Sequence, residues 1–162
     1  MQHHSTKASA RQDSQPYQQN TYHATDTPRK ASLEKKLTSF EREETKHYEV
    51  HYIGNRRIGG LSDFTDADGD SRVAVGDAVA YKYEVVSLLG RGSFGRVFRA
   101  YDHKKKEYVA LKIIKNQEKF TNQAKVEIEI LERALLHDPK LRNNIVRLKG
   151  SFIFRGHTCL KF

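Results

Sequence analysis

The stretch LGRGSFGRV, residues 89–97, is the most informative motif of this chain. Its glycines stand at positions 90, 92 and 95 and follow the pattern G-x-G-x-x-G-x-V. Glycine has no Cβ, so the backbone N–H groups of such a loop can approach a ligand closely. Free amides in a glycine-rich turn suit phosphate oxygens. Dinucleotide-binding folds use the same spacing, so the pattern alone leaves the fold open.

The residues that follow the loop distinguish these folds. In a dinucleotide-binding fold the glycines open a helix, and an acidic residue follows about 20 positions later. Here residues 96–101 are rich in aromatic and β-branched side chains and alternate with polar ones, which predicts a strand. A further strand carries the sequence VALK, residues 109–112. The order of strand, glycine turn, strand and lysine-bearing strand predicts a β-hairpin that covers the phosphates of a nucleotide.

Lys112 is a lone charge inside the apolar run 108–114. A buried ammonium group is costly unless it is paired, so we expect a carboxylate or a phosphate beside it. Residues 120–136 predict a helix, since apolar side chains recur at 120, 124, 128, 131 and 135. Glu127 lies at the edge of that apolar stripe. An ordinary exposed glutamate is the alternative, but the upstream lysine favours a Lys112–Glu127 ion pair.

Composition narrows the function classes. The 162 residues carry a net charge of +9, and their hydrophobic content of 37% is concentrated after residue 80. The basic residues are scattered over predicted strands and turns without an aromatic stacking platform, which disfavours a nucleic-acid-binding protein. The sequence has no apolar run long enough for a membrane span. Cys159 is the only cysteine and is expected to be a small buried strand residue, which fits the cytoplasm or the nucleus.

The first 80 residues are expected to form no domain of their own. Residues 1–33 are rich in Gln, Ser, Thr and His, which predicts a disordered tail. Residues 34–80 are expected to pack as an accessory segment on the domain that follows. In that segment a short helix begins near Phe40 with Ser39 as its cap, and residues 48–53 alternate as a strand would.

The acidic run Asp66, Asp68, Asp70 and Asp77 has two interpretations. Its carboxylates occupy positions 1, 3, 5 and 12 of a calcium loop. Ser71 stands where that loop needs glycine for its sharp turn, and position 12 is Asp rather than a bidentate Glu. A solvated acidic linker is therefore favoured, and calcium binding stays open.

Residues 81–162 resemble the N-lobe of eukaryotic protein kinases, an α+β fold with a five-stranded antiparallel sheet and one helix. The likeness is closest to the dual-specificity tyrosine-regulated kinases, the DYRK family. It rests on YKYEV at 81–85, GRGSFG at 90–95, AYDH at 100–103, the helix 120–131 and FIFR at 152–155. Upstream, residues 37–54 resemble the N-terminal accessory segment of the class II members.

The resemblance implies an enzyme that transfers the γ-phosphoryl group of Mg-ATP to Ser and Thr of protein substrates and to its own activation-loop Tyr. Lys112 would hold the α- and β-phosphates and be fixed by Glu127. Phe162 would be the gatekeeper at the back of the adenine pocket. The full set implied to contact ATP is Leu89, Gly90, Gly92, Ser93, Phe94, Gly95, Val97, Ala110, Lys112 and Phe162.

The resemblance also has a gap. The sequence contains no H-R-D-x-x-x-x-N, D-F-G or A-P-E motif, so the catalytic base and the magnesium ligands are missing and no metal site is predicted here. We expect these residues to be an N-terminal fragment that transfers no phosphate alone. A non-catalytic truncated lobe with an interaction or regulatory role is the alternative. A lobe that ends here is also expected to expose Leu160 and Phe162.

Overall fold

A computed structural model describes residues 36–140, 142 and 144–162. The predicted tail, residues 1–33, lies outside the described residues. Two helices and six strands are present in the described part of the chain. In chain order they are α1 Ser39–Glu44, β1 Ala78–Val79, β2 Tyr83–Gly92, β3 Gly95–Asp102, β4 Glu107–Ile114, α2 Glu118–His137, β5 Gly150–Phe154 and β6 His157–Lys161. Short 3₁₀ helices span Thr45–His47 and Leu61–Asp63.

The six strands form one antiparallel sheet in the order β1-β2-β3-β4-β6-β5. The predicted α+β fold with five strands and one main helix is thereby confirmed, and the two-residue β1 is added at the edge. The register slips between Val85 and Ser87 and again between Leu88 and Gly90. Such irregularities bend a strand and increase its twist, here in the part of β2 that leads to the glycines.

Alternation along β4 gives the sheet two apolar faces. Leu111 and Ile113 point to one face, where they pack with residues of the 36–80 segment such as Leu37 and Phe64. Residues two apart in a strand share a face, and Ile114 accordingly belongs to a second cluster on the opposite side. That cluster gathers Ala124 of α2 with Leu148 and Leu160. The accessory segment and α2 therefore cover opposite sides of one sheet.

The predicted short helix is present, but its cap differs. Thr38, not Ser39, is the N-cap of α1. The Thr38 hydroxyl accepts the backbone N–H of Glu41 at 3.1 Å, and the Glu41 carboxylate accepts the N–H of Thr38 at 3.0 Å. This reciprocal pair is a capping box, which satisfies two amides that a helix start leaves free. Glu41 also accepts the N–H of Ile58, which ties α1 to the following loop.

The helix predicted over 120–136 runs from Glu118 to His137 with Gln117 as its N-cap, two positions earlier than expected. The strand predicted over residues 48–53 is absent, because the N–H groups of His51 and Tyr52 both donate to the single carbonyl of Tyr81. Residues 145–148 form no strand either, and β5 begins only at Gly150.

Candidate functional site

Lys112 and Glu127 lie in direct contact. The Lys112 Nζ donates to both carboxylate oxygens of Glu127, each at 2.7 Å. Lys112 stands in β4 between Val97 of β3 and Leu160 of β6. The lysine side chain keeps 23% of its surface exposed and the glutamate 37%. The pair is thus formed and stays within reach of a ligand on the open side.

The packing of α2 explains why Glu127 reaches the sheet. Ala124 is buried against Ile114 and Leu160, and Ile128 and Leu131 add to the same cluster. Glu127 directly precedes Ile128, so it stands at the rim of the packed stripe rather than on the solvent side. The apolar spacing thus places a carboxylate beside the strand lysine.

The three glycines of the loop have different surroundings. A Cβ on Gly95 would stand 2.1 Å from the carbonyl oxygen of Ile113, and its φ is +147°. Gly95 is thus required by the approach of β3 to β4. A Cβ on Gly90 or Gly92 would meet no heavy atom within 4 Å, apart from the adjacent residues. Those two glycines leave the backbone open on the side where a ligand can approach.

The tip of the loop is attached to α2. Phe94 is 46% exposed, and its ring meets that of Phe120 edge-on with 5.6 Å between centroids. The backbone N–H of Lys115 donates to the carbonyl of Phe94 at 2.9 Å. Leu89 and Ser93, two further loop residues that the resemblance implies to contact ATP, are exposed. These contacts anchor the tip beside the start of α2.

The residues predicted to contact adenine converge. Ala110 and Phe162 exchange two backbone hydrogen bonds, at 2.9 and 3.1 Å. Val97 lies next to Lys112 in the sheet and is partly buried. The expected exposure is wrong for Leu160, which is fully buried, whereas Phe162 is partly buried against the α2 cluster.

The acidic run does not gather its carboxylates. Asp70 is buried against two arginines, and Asp77 is paired with Arg56 at 2.6 Å. Asp66 accepts the backbone N–H groups of Asp68 and Asp70, and these bonds lower the pKa of the Asp66 carboxyl. Among the described residues, no group of three or more His, Cys, Asp or Glu side chains could hold a metal ion. The structure therefore differs from a solvated linker, because Asp70 and Asp77 are buried in ion pairs, and from a calcium loop, because the carboxylates do not converge.

A buried ion pair joins the accessory segment to the sheet, and sequence reasoning missed it. Arg155, in the β5–β6 turn, donates to Glu44 of α1 at 2.7 Å. Its side chain is 3% exposed. The Tyr81 hydroxyl also donates to Glu44, at 2.6 Å. Burial raises the pKa of Tyr81, which keeps this hydroxyl protonated. The sequence signal was slight, a single arginine between Phe154 and Gly156.

His157 is a second buried polar contact that sequence reasoning missed. Its ring is fully buried, with Nδ1 2.7 Å from the Ile114 carbonyl and Nε2 2.8 Å from the Thr65 hydroxyl. A neutral ring with the proton on Nδ1 satisfies both contacts, since Nε2 then accepts the Thr65 O–H. Burial lowers the pKa of His157 and favours that neutral form. This histidine thereby links the accessory segment to the end of β4.

A cavity of about 480 Å³ lies away from the glycine loop. Its walls include His51 and Tyr52 of the accessory segment and His103 of the β3–β4 turn. None of the residues predicted to contact ATP lines it.

Among the described residues no helix is both long and apolar enough to cross a bilayer.

Comparison with known proteins agrees with this geometry. Residues 83–162 match the family model of the protein kinase domain. The chain belongs to the protein kinases. It is 40% identical over 147 residues to dual specificity tyrosine-phosphorylation-regulated kinase 3 of Homo sapiens. The aligned region covers 84% of this chain and 25% of that protein. Within the kinases it is therefore of the DYRK type.

Two further relatives show the same extent of similarity. The kinase mbk-2 of Caenorhabditis elegans is 38% identical over 136 residues, or 78% of this chain and 17% of that protein. The serine/threonine-protein kinase ppk5 of Schizosaccharomyces pombe is 38% identical over 136 residues, or 76% of this chain and 16% of that protein. The chain thus spans about a sixth to a quarter of the length of the curated relatives it matches.

Proposed function

We propose that this chain is the nucleotide-binding lobe of a protein kinase that phosphorylates Ser and Thr of protein substrates and its own Tyr. The Lys112–Glu127 contact is the observation that carries the proposal. A strand lysine bonded to both oxygens of a helix carboxylate is the arrangement by which kinases hold their nucleotide. Each residue comes from a different element, so the contact exists only when α2 is packed on the sheet.

The residues present fit a nucleoside triphosphate. The open backbone at Gly90 and Gly92 is the observation that supports the fit, because amides there can approach phosphate oxygens without a side chain in between. Lys112 would bind the α- and β-phosphate oxygens, and Glu127 would hold the ammonium group in place. Val97, Ala110 and Phe162 would offer apolar surface to the adenine ring.

Bound Mg-ATP supplies the phosphoryl group. Lys112 contributes a fixed positive charge, and positioning with charge stabilisation accounts for most of the catalysis in this reaction class. No residue of this chain is assigned as the base that accepts the substrate hydroxyl proton, or as a magnesium ligand. We therefore propose that the 162 residues alone transfer no phosphate and that further residues complete the reaction.

We also propose that residues 34–80 act as an accessory segment of the lobe, residues 81–162, and assist tyrosine autophosphorylation. The supporting observation is the Glu44–Arg155 ion pair across the two parts. A role of the chain as a non-catalytic interaction protein stays an alternative.

Phosphoryl transfer from radiolabelled ATP to casein tests the proposal, with the protein produced from its own gene and the 162-residue chain assayed side by side. We expect transfer by the gene product, and a loss of about a hundredfold or more in Lys112→Ala. Lys125→Ala removes an equivalent charge on the exposed side of α2 and should leave the rate unchanged. Transfer that survives Lys112→Ala would refute the assigned site, and transfer by the 162 residues would refute their inactivity.

Two further observations test the finer parts of the proposal. Phosphoamino-acid analysis of the products tests the dual specificity, since phosphotyrosine is expected only on the kinase itself. The gene sequence downstream of Phe162 is expected to encode H-R-D and D-F-G motifs. Their absence would favour the non-catalytic alternative.

A further inference from the structure

The loop formed by residues 65–71, called the 65–71 loop, has a preformed shape. An antiparallel bridge between Thr65 and Ser71 closes its base. Inside the loop, the Asp66 carboxylate accepts the N–H of Asp68 at 3.0 Å and that of Asp70 at 2.8 Å. Backbone amides satisfied in this way resist local opening. A displacement at one end of the 65–71 loop is therefore transmitted to the other.

One side of the 65–71 loop holds the glycine hairpin. The Asp70 carboxylate is fully buried, with Oδ2 3.2 Å from Arg96 Nε and 3.4 Å from Arg91 Nη2. Arg91 stands between Gly90 and Gly92, at the open part of the hairpin. A buried carboxylate is costly without such partners. Asp70 therefore holds β2 and β3 together beside the glycines, with Arg96 as its more buried partner.

The other side of the 65–71 loop holds the start of α2. The N–H of Asn116 donates to the Gly69 carbonyl at 2.7 Å. The side-chain amide of Gln117 donates to the Asp68 carbonyl at 2.8 Å. Gln117 is the N-cap of α2, and its side chain makes no capping bond within the helix. The loop therefore binds the N-cap residue of the helix, ten positions before Glu127.

We propose that the 65–71 loop couples the glycine hairpin to α2, and that Asp70 is a positioning residue for the Lys112–Glu127 pair. The inference rests on the proposed function for its catalytic meaning, but the mechanical link does not. If Asp70 loses its charge, Arg91 and Arg96 lose their common partner. The hairpin is then freed on one side, and the loop no longer ties it to the start of the helix.

Hydrogen exchange of the nucleotide-free chain tests the link. Asp70→Asn is expected to speed the exchange of backbone amides in residues 88–96 and in residues 117–127, each by about fivefold or more. Asp68→Asn is the matched control: it removes the same charge from an exposed position of the same loop and keeps the backbone contacts. Faster exchange confined to residues 88–96, or equal effects of the two variants, would overturn the proposal.

Gln117→Ala keeps the test decisive if Asp70→Asn fails to fold. The change removes a contact between α2 and the 65–71 loop, and the coupling predicts faster exchange in residues 88–96 on the far side of the loop. An unchanged hairpin would overturn the proposal.

A kinetic measurement on the gene product separates this inference from the proposed function. Asp70→Asn is expected to raise KM for ATP by about fivefold and to lower kcat by a smaller factor, whereas a purely stabilising role would lower only the amount of folded enzyme. If the gene product shows no ATP-dependent transfer at all, the proposed function fails while the exchange result still decides the coupling.

Discussion

Gly95→Ala is expected to destabilise the lobe strongly, because the new Cβ would stand 2.1 Å from the Ile113 carbonyl oxygen and 3.0 Å from the Ile114 Cα. Both atoms belong to the backbone of β4, so no side chain can turn away to make room. The strands would have to separate by about 1 Å, an overpacking that costs about 1–3 kcal/mol. The φ of +147° adds about 1–3 kcal/mol of strain for a residue with a side chain.

The expected total is a loss of about 2–6 kcal/mol in the free energy of unfolding. Thermal and urea denaturation measure this directly, with a fall in Tm of about 8 °C or more. Gly90→Ala and Gly92→Ala are the matched controls, since a Cβ at either site meets open space. Alanine there should leave the free energy of unfolding within about 0.5 kcal/mol of the original.

The same three variants separate stability from nucleotide binding. Gly90→Ala and Gly92→Ala are expected to weaken Mg-ATP binding while they fold normally, because the methyl group stands where phosphate oxygens would approach. If Gly95→Ala had the same Tm as the two control variants, the assignment of Gly95 to the β3–β4 contact would be refuted. If the control variants lost stability instead, the open surface at Gly90 and Gly92 would be refuted.

Two further perturbations test the contacts between the accessory segment and the sheet. Arg155→Ala leaves the partly buried Glu44 carboxylate bonded to the Tyr81 hydroxyl but without its cation, and should lower the free energy of unfolding in urea by about 3 kcal/mol, whereas Lys46→Ala, which breaks an exposed pair, should leave it nearly unchanged. Stability should also fall as the pH drops below about 6.5, because burial lowers the pKa of His157 and unfolding then takes up a proton. The neutral ring contributes its full stabilisation above that pH. His157→Gln should flatten the dependence of stability on pH, whereas the exposed control His47→Gln should not. A flat profile in the original chain would contradict the assignment of a neutral, buried His157 ring.

The central contact could be predicted because its signals were local. Lys112 is a charge within an apolar strand, and the spacing of apolar residues fixes which side of α2 packs on the sheet. These two facts select Glu127 from the acidic residues of the helix. The glycine pattern and the strand that follows it likewise predicted the hairpin, and the register of β2 and β3 reproduces it.

The contacts of the accessory segment could not be predicted in this way. Glu44 and Arg155 are separated by 111 positions. Glu44 belongs to a polar stretch, and Arg155 directly follows an apolar strand, so neither neighbourhood indicates the other residue. Asp70 belongs to a run of acidic residues that is typical of a solvated linker, and its burial depends on Arg91 and Arg96 approaching from another hairpin. Periodicity carries no information about which turn or loop is covered by a distant segment. Such contacts arise only when the accessory segment packs on the sheet.

The steric role of Gly95 was hidden for a related reason. In the sequence, its spacing makes it equivalent to Gly90 and Gly92 as a residue that opens the backbone to phosphate. The distance to Ile113 separates it from them, because that distance depends on how closely β3 and β4 approach.

Binding of a fluorescent ATP analogue with Mg²⁺ tests the central claim most directly, namely that the Lys112–Glu127 pair beneath the glycine hairpin is a nucleotide-phosphate site. The titration compares the original chain with Lys112→Ala, Glu127→Ala and the control Lys125→Ala, after circular dichroism has shown that all four fold. We expect saturable binding by the original chain and by Lys125→Ala, and a loss of affinity of about tenfold or more in the other two. Equal affinity in all four proteins, or no saturable binding by the original chain, would contradict the claim.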